Sequence, residues 1–529
     1  MKTNPLIWRI TLGVALILLA LFSALPMLPP RAVPAAAPAR QFSAERAFAD
    51  LQLVAAEPHA AGSPAQARVR EYIIGQIQAQ GFEAVTETSG PVSNILVRLP
   101  GTDSTGTLLV TGHYDSHPPA PGAGDDGLST VAMLEALRVL KTRLPLRNNV
   151  LFLFTDGEEL GWLGASAFLY AHPEASNEIG VVMCFDGRPG NGPLVLWETS
   201  PNDAWVVRQM TWLPLSLYAG SWTNRSERGE RDTDFSIFSE AGFTGVEMEN
   251  AEAGTLYHTP GDVPAAISPA LLQSFGRTML ALTSRFGSID MLGHTSDHDL
   301  AFFTLPLVGL IAYPTWLMPV ISILGFLALI TLVVIAARQH RFSLGRFGVS
   351  LLVLLLGIVL IVFAAQLAWG PVKSRHVAEL AFGSGFAAST AWLTGFMSVA
   401  TILMIVLLAV LTRRFGSLNL IPAATILYLL VWFAVHSLMD ADNPLTTAYI
   451  ALPFLGGVAA MAVVLLVKSP AWKTTLLAFS ALLVLVLTIP QLWLASYTRE
   501  DAWIPVLATC ISMVFFAPQV EAIFVKHSS

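Results

Sequence analysis

Cysteine is nearly missing from this chain. Its 529 residues hold two, Cys184 and Cys510. The first lies in a stretch patterned as a core strand, the second in an apolar run long enough to span a membrane. A structural disulfide between two such positions is not expected, and there is no thiolate set to hold a metal. Charge is scarce as well. Only 13% of residues are Asp, Glu, Lys or Arg, against 54% hydrophobic residues and a mean hydropathy of +0.60. A soluble protein of this length is more polar, so the composition points to a membrane protein. A basic surplus is also lacking where a globular domain fits. Residues 41–301 carry 31 Asp+Glu against 15 Lys+Arg, a net of −16. That excludes nucleic acid as a partner and suits the binding of cations. Residues 302–529 carry 6 acids and 11 bases.

What is present falls into segments. Residues 8–28 are almost wholly apolar behind Lys2 and Arg9, and about 20 such residues span the hydrocarbon of a bilayer. No clean small-x-small cleavage site directly follows the apolar core, so residues 1–30 read as an uncleaved anchor. "PPRAVPAAAPAR" places a stiff Pro/Ala linker over residues 31–44. Residues 45–314 form the expected globular domain and 315–529 a membrane domain of about seven helices, with apolar runs near 315–337, 347–369, 392–412, 418–438, 446–467, 473–495 and 502–524. With the amino terminus inside, the inner segments hold ten Lys and Arg and the outer loops three. That bias predicts eight spans, both termini cytoplasmic and residues 30–314 on the extracytoplasmic side. A bacterial inner membrane with an outward-facing domain is favoured, with a eukaryotic endomembrane and a lumenal domain as the alternative. Nothing in the sequence speaks to oligomeric state.

Within the globular segment, helical and strand patterns alternate. "TLLVTGHYDS" (107–116), "NNVLFLFTD" (148–156) and "IGVVMCFD" (179–186) read as strands, the last two as continuous apolar runs buried on both faces. "DGLSTVAMLEALRVLK" (126–141) reads as an amphipathic helix. The alternation predicts an α/β fold with a mostly parallel twisted sheet and helices on both faces. "LAFFTLPLVGLIAYP" (300–314) reads as one last strand leading into the membrane. In open parallel sheets, ligands sit beyond the carboxyl ends of the strands. The polar groups gather there: His113 and Asp115, then Asp125 and Asp126 in "PGAGDDG", then Asp156, Glu158 and Glu159 in "FTDGEELGWLGA", then Asp186, and later His258 and Asp262 in "LYHTPGD". Three acids within four positions, 156–159, repel one another without a positive charge to meet. Two histidines and several carboxylates without thiolate suit two divalent cations, zinc first, with manganese or cobalt also open. Asp115, two residues after His113, can accept the second imidazole N–H and fix its tautomer.

These motifs in this order resemble the co-catalytic di-zinc exopeptidases, metallopeptidase family 28, over residues 45–290. The twelve-residue step from His113 to Asp125, the segment "RDTDFSIF" (231–238) and the trailing apolar runs look most like the membrane-bound endoplasmic reticulum metallopeptidase branch. The resemblance implies that Asp125 bridges two Zn2+ ions, with a cis Asp125–Asp126 peptide bond. It assigns His113 and Asp186 to one ion, and Glu159 and His258 to the other. It implies that Glu158 is the general base acting on a water shared by the ions, and that Tyr257 hydrogen-bonds the oxyanion. Asp115, Asp126 and Asp262 are expected to brace these ligands. Gly127 stands where that family often has Asn or Ala, and "SWTNRSERGE" (221–230) matches none of its motifs. The implied activity is hydrolysis of amino-terminal peptide bonds by a membrane-anchored aminopeptidase, with peptides as substrates. A glutaminyl cyclase or a carboxypeptidase on the same fold stays open, as does a non-catalytic peptide-binding ectodomain of a transporter or receptor. Asp125–Asp126, where cyclases carry Asp–Ser, favours two ions.

Overall fold

The structure is a computed structural model. It describes the backbone except at residues 1–4, 144, 212, 222–232, 252–255, 292–295, 382–384, 439–446, 499–501 and 526–529, and it leaves out in addition the side chains of residues 5, 373, 375–390, 432–450 and 496–500. The chain divides into two compact units. One comprises residues 26–313 with 377–386, and the other residues 1–25, 314–376 and 387–529.

The first unit follows helix α1 (Pro5–Ala24) in the order α2 (Ala44–Val54), α3 (Pro64–Ala79), β1 (Val85–Ser89), β2 (Val92–Leu99), β3 (Thr107–His113), α4 (Gly127–Lys141), β4 (Asn149–Thr155), α5 (Leu163–Ala171), α6 (Ala175–Glu178), β5 (Ile179–Asp186), β6 (Leu194–Thr199), α7 (Ala204–Met210), β7 (Tyr218–Ala219), α8 (Asp234–Glu240), β8 (Gly245–Asn250), α9 (Pro269–Phe286), β9 (Leu300–Leu305) and β10 (Gly309–Pro314). Eight strands make one sheet in the order β1-β2-β4-β3-β5-β8-β6-β7. Its centre is parallel, with β4, β3, β5 and β8 paired side by side in the same direction. The flanks are antiparallel at β1–β2, β2–β4 and β6–β8, with β6–β7 parallel again. The sheet is therefore more mixed than the alternation alone implied. The central strands are the apolar runs: every residue of β3 is buried, as is all of β4 after Asn149.

Alternating side chains of these strands feed two cores. Val97, Val110, Phe152, Val181 and Met183 point to one face, under α2, α4 and α9. Leu96, Leu109, Leu151, Val182 and Cys184 point to the other, under Phe168 of α5 and Phe235 and Phe238 of α8. Each fully buried Leu, Val or Phe contributes roughly 1.5–3 kcal/mol relative to exposure. Helix α4 is buried along almost its whole length, more than a one-sided helix would be. Its one acid in that core, Glu135, is satisfied by Arg46, Arg138 and the N–H of Ser43. The Pro/Ala stretch makes hydrogen bonds to the helices beside it. Its turns are closed by the N–H groups of Ala37 and Gln41 on the carbonyls of Pro34 and Pro38, and Arg46 and Arg138 take the carbonyls of Ala37 and Ala39. Gln273 of α9 accepts the N–H of Val33. Residues 300–314 form two strands, β9 and β10, rather than one. Leu307 and Gly309 turn the chain with positive φ of 62° and 94°.

The second unit contains α1 and then α10 (Leu317–Arg338), α11 (Leu344–Ala381), α12 (Gly385–Phe415), α13 (Ser417–Leu438), α14 (Thr447–Leu466), α15 (Pro470–Thr498), α16 (Trp503–Met513) and α17 (Ala517–Phe524). Among the described residues, six helical stretches are long and apolar enough to cross a membrane: Leu6–Met27, Leu317–Arg338, Leu344–Val372, Ala391–Phe415, Pro470–Ala495 and Trp503–Phe524. Ser417–Val431 and Ala451–Leu466 are apolar but shorter. Helix α15 packs on both α14 and α1. Buried Asn419 joins the start of α13 to the α10–α11 connection, donating to the carbonyl of Arg341 and accepting from the N–H of Ser343.

Candidate metal centre

The site grows from the carboxyl ends of β3, β4 and β5. His113 is the last residue of β3. Its Nδ1 lies 2.9 Å from the backbone carbonyl of Asp115 and 3.4 Å from the Asp115 carboxylate. The carbonyl, not the carboxylate, is the nearer acceptor. The carboxylate instead accepts the N–H groups of Glu158 and Glu159, at 3.1 and 3.3 Å. Asp115 thus ties the end of β3 to the turn after β4. With Nδ1 donating, Nε2 of His113 is left to face carboxylates: Asp125 Oδ1 at 3.3 Å, Asp186 Oδ1 at 3.9 Å and Glu158 Oε2 at 4.0 Å.

The turn that carries Glu158 and Glu159 needs an unusual backbone. Gly157 has φ 69°, and a Cβ there would stand 2.5 Å from Val92 Cγ1. Only glycine meets both conditions, which is why the strand can stop and reverse at that point. Asp156 faces away from the cluster and accepts the N–H of Ser93, bracing β4 against β2. The loop before α4 carries Asp125, and the Asp125–Asp126 peptide bond is cis. Asp126 caps α4 through the N–H of Ser129 and also accepts that of Gly187. Asp262 accepts the N–H groups of Gly124 and Asp125. Asp125 is therefore gripped from both sides. His258, with φ 57°, brings its Nε2 to 3.3 Å from Asp125 Oδ2 and 3.2 Å from Glu159 Oε2.

Two groups result, sharing one carboxylate. His113, Asp125 and Asp186 place ligand atoms within 4.8 Å of one another. On the other oxygen of Asp125 stands His258, whose Nε2 also meets Glu159. Two atoms each ~2.1 Å from one tetrahedral ion stand ~3.4 Å apart, close to the 3.2 and 3.3 Å separations at Asp125, His113, His258 and Glu159. Buried atoms without a hydrogen-bond partner mark the same place: His113 Nε2, Asp125 Oδ2, Glu159 Oε1 and Asp186 Oδ1. Each such orphan costs roughly 1–3 kcal/mol, a cost that a bound cation removes. The donor set therefore fits zinc.

Electrostatics point the same way. Among the protein groups alone, burial holds Glu158 and Asp186 well above the usual carboxylate range, since so many acids cannot all ionise together in a dry cleft. Burial also raises Asp126 to about 7 and Asp262 to about 7. Burial opposes charge on His113 and His258, yet their carboxylate neighbours prevail and raise both, His258 to about 9. The acids are arranged to meet positive charge.

Of the eleven residues singled out in the sequence, ten lie in or around this cluster, and Asp156 does not. Tyr257 stacks on His258 with ring centroids 3.7 Å apart, and the Arg188 guanidinium covers the Tyr257 ring at 4.3 Å. Sequence reasoning passed over Arg188, Asp234, Glu247 and Glu249. Arg188 pairs with Glu249, and Thr233 donates to Glu247. Glu249 stands in register with Asp186 across β5–β8. The alternation of "VEMEN" in a buried strand was the available signal: two acids at i and i+2 share a face. His117 stacks on His258 with centroids 4.1 Å apart. Trp222, Arg225, Glu227 and Arg231, in or beside the unmatched segment "SWTNRSERGE", and His294 lie outside the described residues.

Comparison with known proteins finds one family over part of the chain. Residues 94–283 match the model of Peptidase family M28. The chain carries an M28 peptidase domain. Endoplasmic reticulum metallopeptidase 1 of Homo sapiens is 27% identical over 343 residues, covering 62% of this chain and 37% of that protein. Vacuolar membrane protease of Candida albicans (strain WO-1) is 31% identical over 244 residues, covering 43% of this chain and 28% of that protein. These relatives belong to the membrane-bound branch that the sequence motifs resembled. The alignments thus span about a third of the length of the curated relatives. Among solved structures, an aminopeptidase from Aneurinibacillus sp. strain AM-1 is 13% identical with a TM-score of 0.42, covering 49% of this chain and 98% of that one. The M28 domain of this chain is accompanied by apolar helices of spanning length, so the protein is a multi-pass membrane protein with a metallopeptidase-family domain.

Proposed function

We propose that this chain is a membrane-anchored, zinc-dependent exopeptidase of aminopeptidase type, binding two Zn2+ ions through five residues. The observation that carries this reading is the shared carboxylate: Asp125 offers one oxygen to the His113 side and the other to the His258 side, each 3.3 Å from an Nε2. His113, Asp125 and Asp186 would hold one ion, and Asp125, Glu159 and His258 the other. Such a pair, when bound, polarises the scissile carbonyl and lowers the pKa of water toward neutrality.

The chain's own groups supply the proton transfers. Glu158 is within 4.0 Å of His113 Nε2, beside the cluster, and is not needed by either ligand group. Burial raises its affinity for a proton, which suits a general base that takes a proton from water and returns it to the leaving amine. Burial also raises Tyr257, so its hydroxyl stays protonated and able to donate to a developing oxyanion. Arg188 packs over its ring. A free peptide amino terminus is a cation, and the acidic cluster attracts it. Among the described residues, the buried cation at the site, Arg188, is engaged by Glu249, which disfavours a substrate's terminal carboxylate as the guest. Asp115, Asp126 and Asp262 position the ligands. The distribution of Lys and Arg along the chain supports residues 30–314 facing the extracytoplasmic side, with peptides reaching the site from there and the bilayer as the other partner.

The test uses the full chain purified in detergent, with aminoacyl-arylamides, dipeptides blocked at either end and glutaminyl peptides as substrates, with and without chelator. Chelator-sensitive release from substrates with a free amino terminus is expected. Action only on carboxyl-terminal bonds, or cyclisation of glutaminyl peptides without hydrolysis, replaces the aminopeptidase reading. A chain that binds no metal overturns it.

A further inference from the structure

The two halves of the centre are not alike. Glu158 stands on the His113 side. On the other side, His117 lies flat against His258, with ring centroids 4.1 Å apart and planes 6° from parallel. A ring nitrogen of His117, a carboxylate oxygen of Glu159 and a ring nitrogen of His258 all lie within 4.8 Å of one another. Nδ1 of His117 is buried and has no hydrogen-bond partner. A buried imidazole nitrogen without a partner is costly, and stacking alone does not offset it. A cation between these groups would.

We propose that His117 is a further protein ligand of the ion held by Asp125, Glu159 and His258. The proposal rests on the two-ion reading above and goes beyond the five ligands named there. Two parallel rings send their lone pairs side by side, so His117 reaches the ion by turning about its own side-chain torsions. Its setting allows that. It is only partly buried, in an irregular stretch, and the fixed φ of Pro118 and Pro119 stiffens the chain after it without restraining the imidazole. With His117 added, one ion has four protein ligands, the count that closes a tetrahedral shell, while the other keeps three and an open position. The open position is then on the side of Glu158, where a water needs its base.

The experiment measures zinc retained per chain during chelator titration of the detergent-purified full chain, comparing wild type, His117→Ala, His117→Phe and His258→Ala. The His258→Ala variant identifies which equivalent belongs to that side. Phe keeps a flat ring to stack but offers no nitrogen. The expected result is that both His117 variants lose the His258-side equivalent at chelator concentrations lower by more than about tenfold, while the other equivalent leaves as in wild type. The unchanged equivalent also reports an intact fold. Cobalt-substituted protein gives a second readout: the visible absorption of the His258-side ion should change in both variants. If Phe restores wild-type retention, His117 only stacks and the ligand assignment falls. If neither variant alters retention or spectrum, it falls as well. A wild-type chain that retains no zinc overturns the two-ion reading, a result distinct from either of these.

Discussion

The Asp115 carboxylate accepts the backbone N–H of Glu158 at 3.1 Å, so the acid that follows the histidine strand holds the turn carrying the proposed base. The same carboxylate reaches the N–H of Glu159, and its own residue's carbonyl orients His113. One residue thus sets three others. Asp115→Asn keeps the shape but presents an amide N–H₂ toward one of two N–H donors, so one contact becomes a repulsion. The expected outcome is a 10- to 100-fold loss of zinc affinity, the usual scale for groups that orient ligands, read as a shift in the chelator midpoint. An unshifted midpoint would remove Asp115 from that role.

Glu158 separates chemistry from binding. Glu158→Gln leaves both ligand groups complete, so zinc content should match wild type. Turnover should fall by about 10²–10⁴, the scale of a lost general base. Normal zinc with near-normal turnover would rule out Glu158 as the base, and reduced zinc would reclassify it as a ligand.

The motifs legible in the sequence were those whose meaning is local. His113, Glu159 and Asp186 each stand at or just beyond the end of an apolar strand, Asp125 lies in the loop that leads from β3 to α4, and chain order puts them at one edge of a parallel sheet. The long apolar run of β4 announced its burial on both faces. What stayed hidden depended on partners distant in sequence. Nothing in "VSNILVRL" says that β2 runs antiparallel to β4, because the direction of a pairing is set by the connection and not by the strand. Glu247 and Glu249 looked like ordinary charged positions until β8 was placed beside β5 and Glu249 fell opposite Asp186. The hairpin at 300–314 was missed for a different reason. Its turn uses Leu307 with positive φ, a residue that signals no turn. His117 gave no signal in the sequence because its partner, His258, lies 141 positions away in the numbering.

Packing beside the domain's amino-terminal strap gives a stability prediction. Gly276 lies in the middle of α9, where a Cβ would stand 2.1 Å from the ring of Phe42, itself almost fully buried. Alanine improves helix propensity by about 1 kcal/mol, yet the methyl group displaces an aromatic ring from the core. Overpacking of that kind costs about 1–3 kcal/mol, so the clash wins. Gly276→Ala should lower the thermal midpoint of the globular unit, and Gly276→Ala with Phe42→Leu should recover part of the loss. A single variant with a raised midpoint would show that Phe42 moves freely.

Away from the metal centre, Asp203 should make folding pH-dependent. It sits just before α7, accepting the N–H of Leu300 at 2.9 Å and the hydroxyl of Thr199 at 2.8 Å. Burial raises its pKa from 3.8 to about 7, with the two hydrogen bonds opposing. The folded state therefore binds this proton more tightly than the unfolded chain does. The stabilisation linked to the proton is complete below about pH 4 and is lost as pH rises through about 7. Asparagine mimics the protonated form. It can accept from Leu300 with its oxygen and donate to the Thr199 hydroxyl. Asp203→Asn should leave the midpoint near that of wild type at pH 5 and raise it at pH 8, by a few °C, on the scale of about 2–4 °C per kcal/mol for a domain of this size. Equal differences between the two proteins at both pH values would mean that Asp203 titrates where an exposed aspartate does.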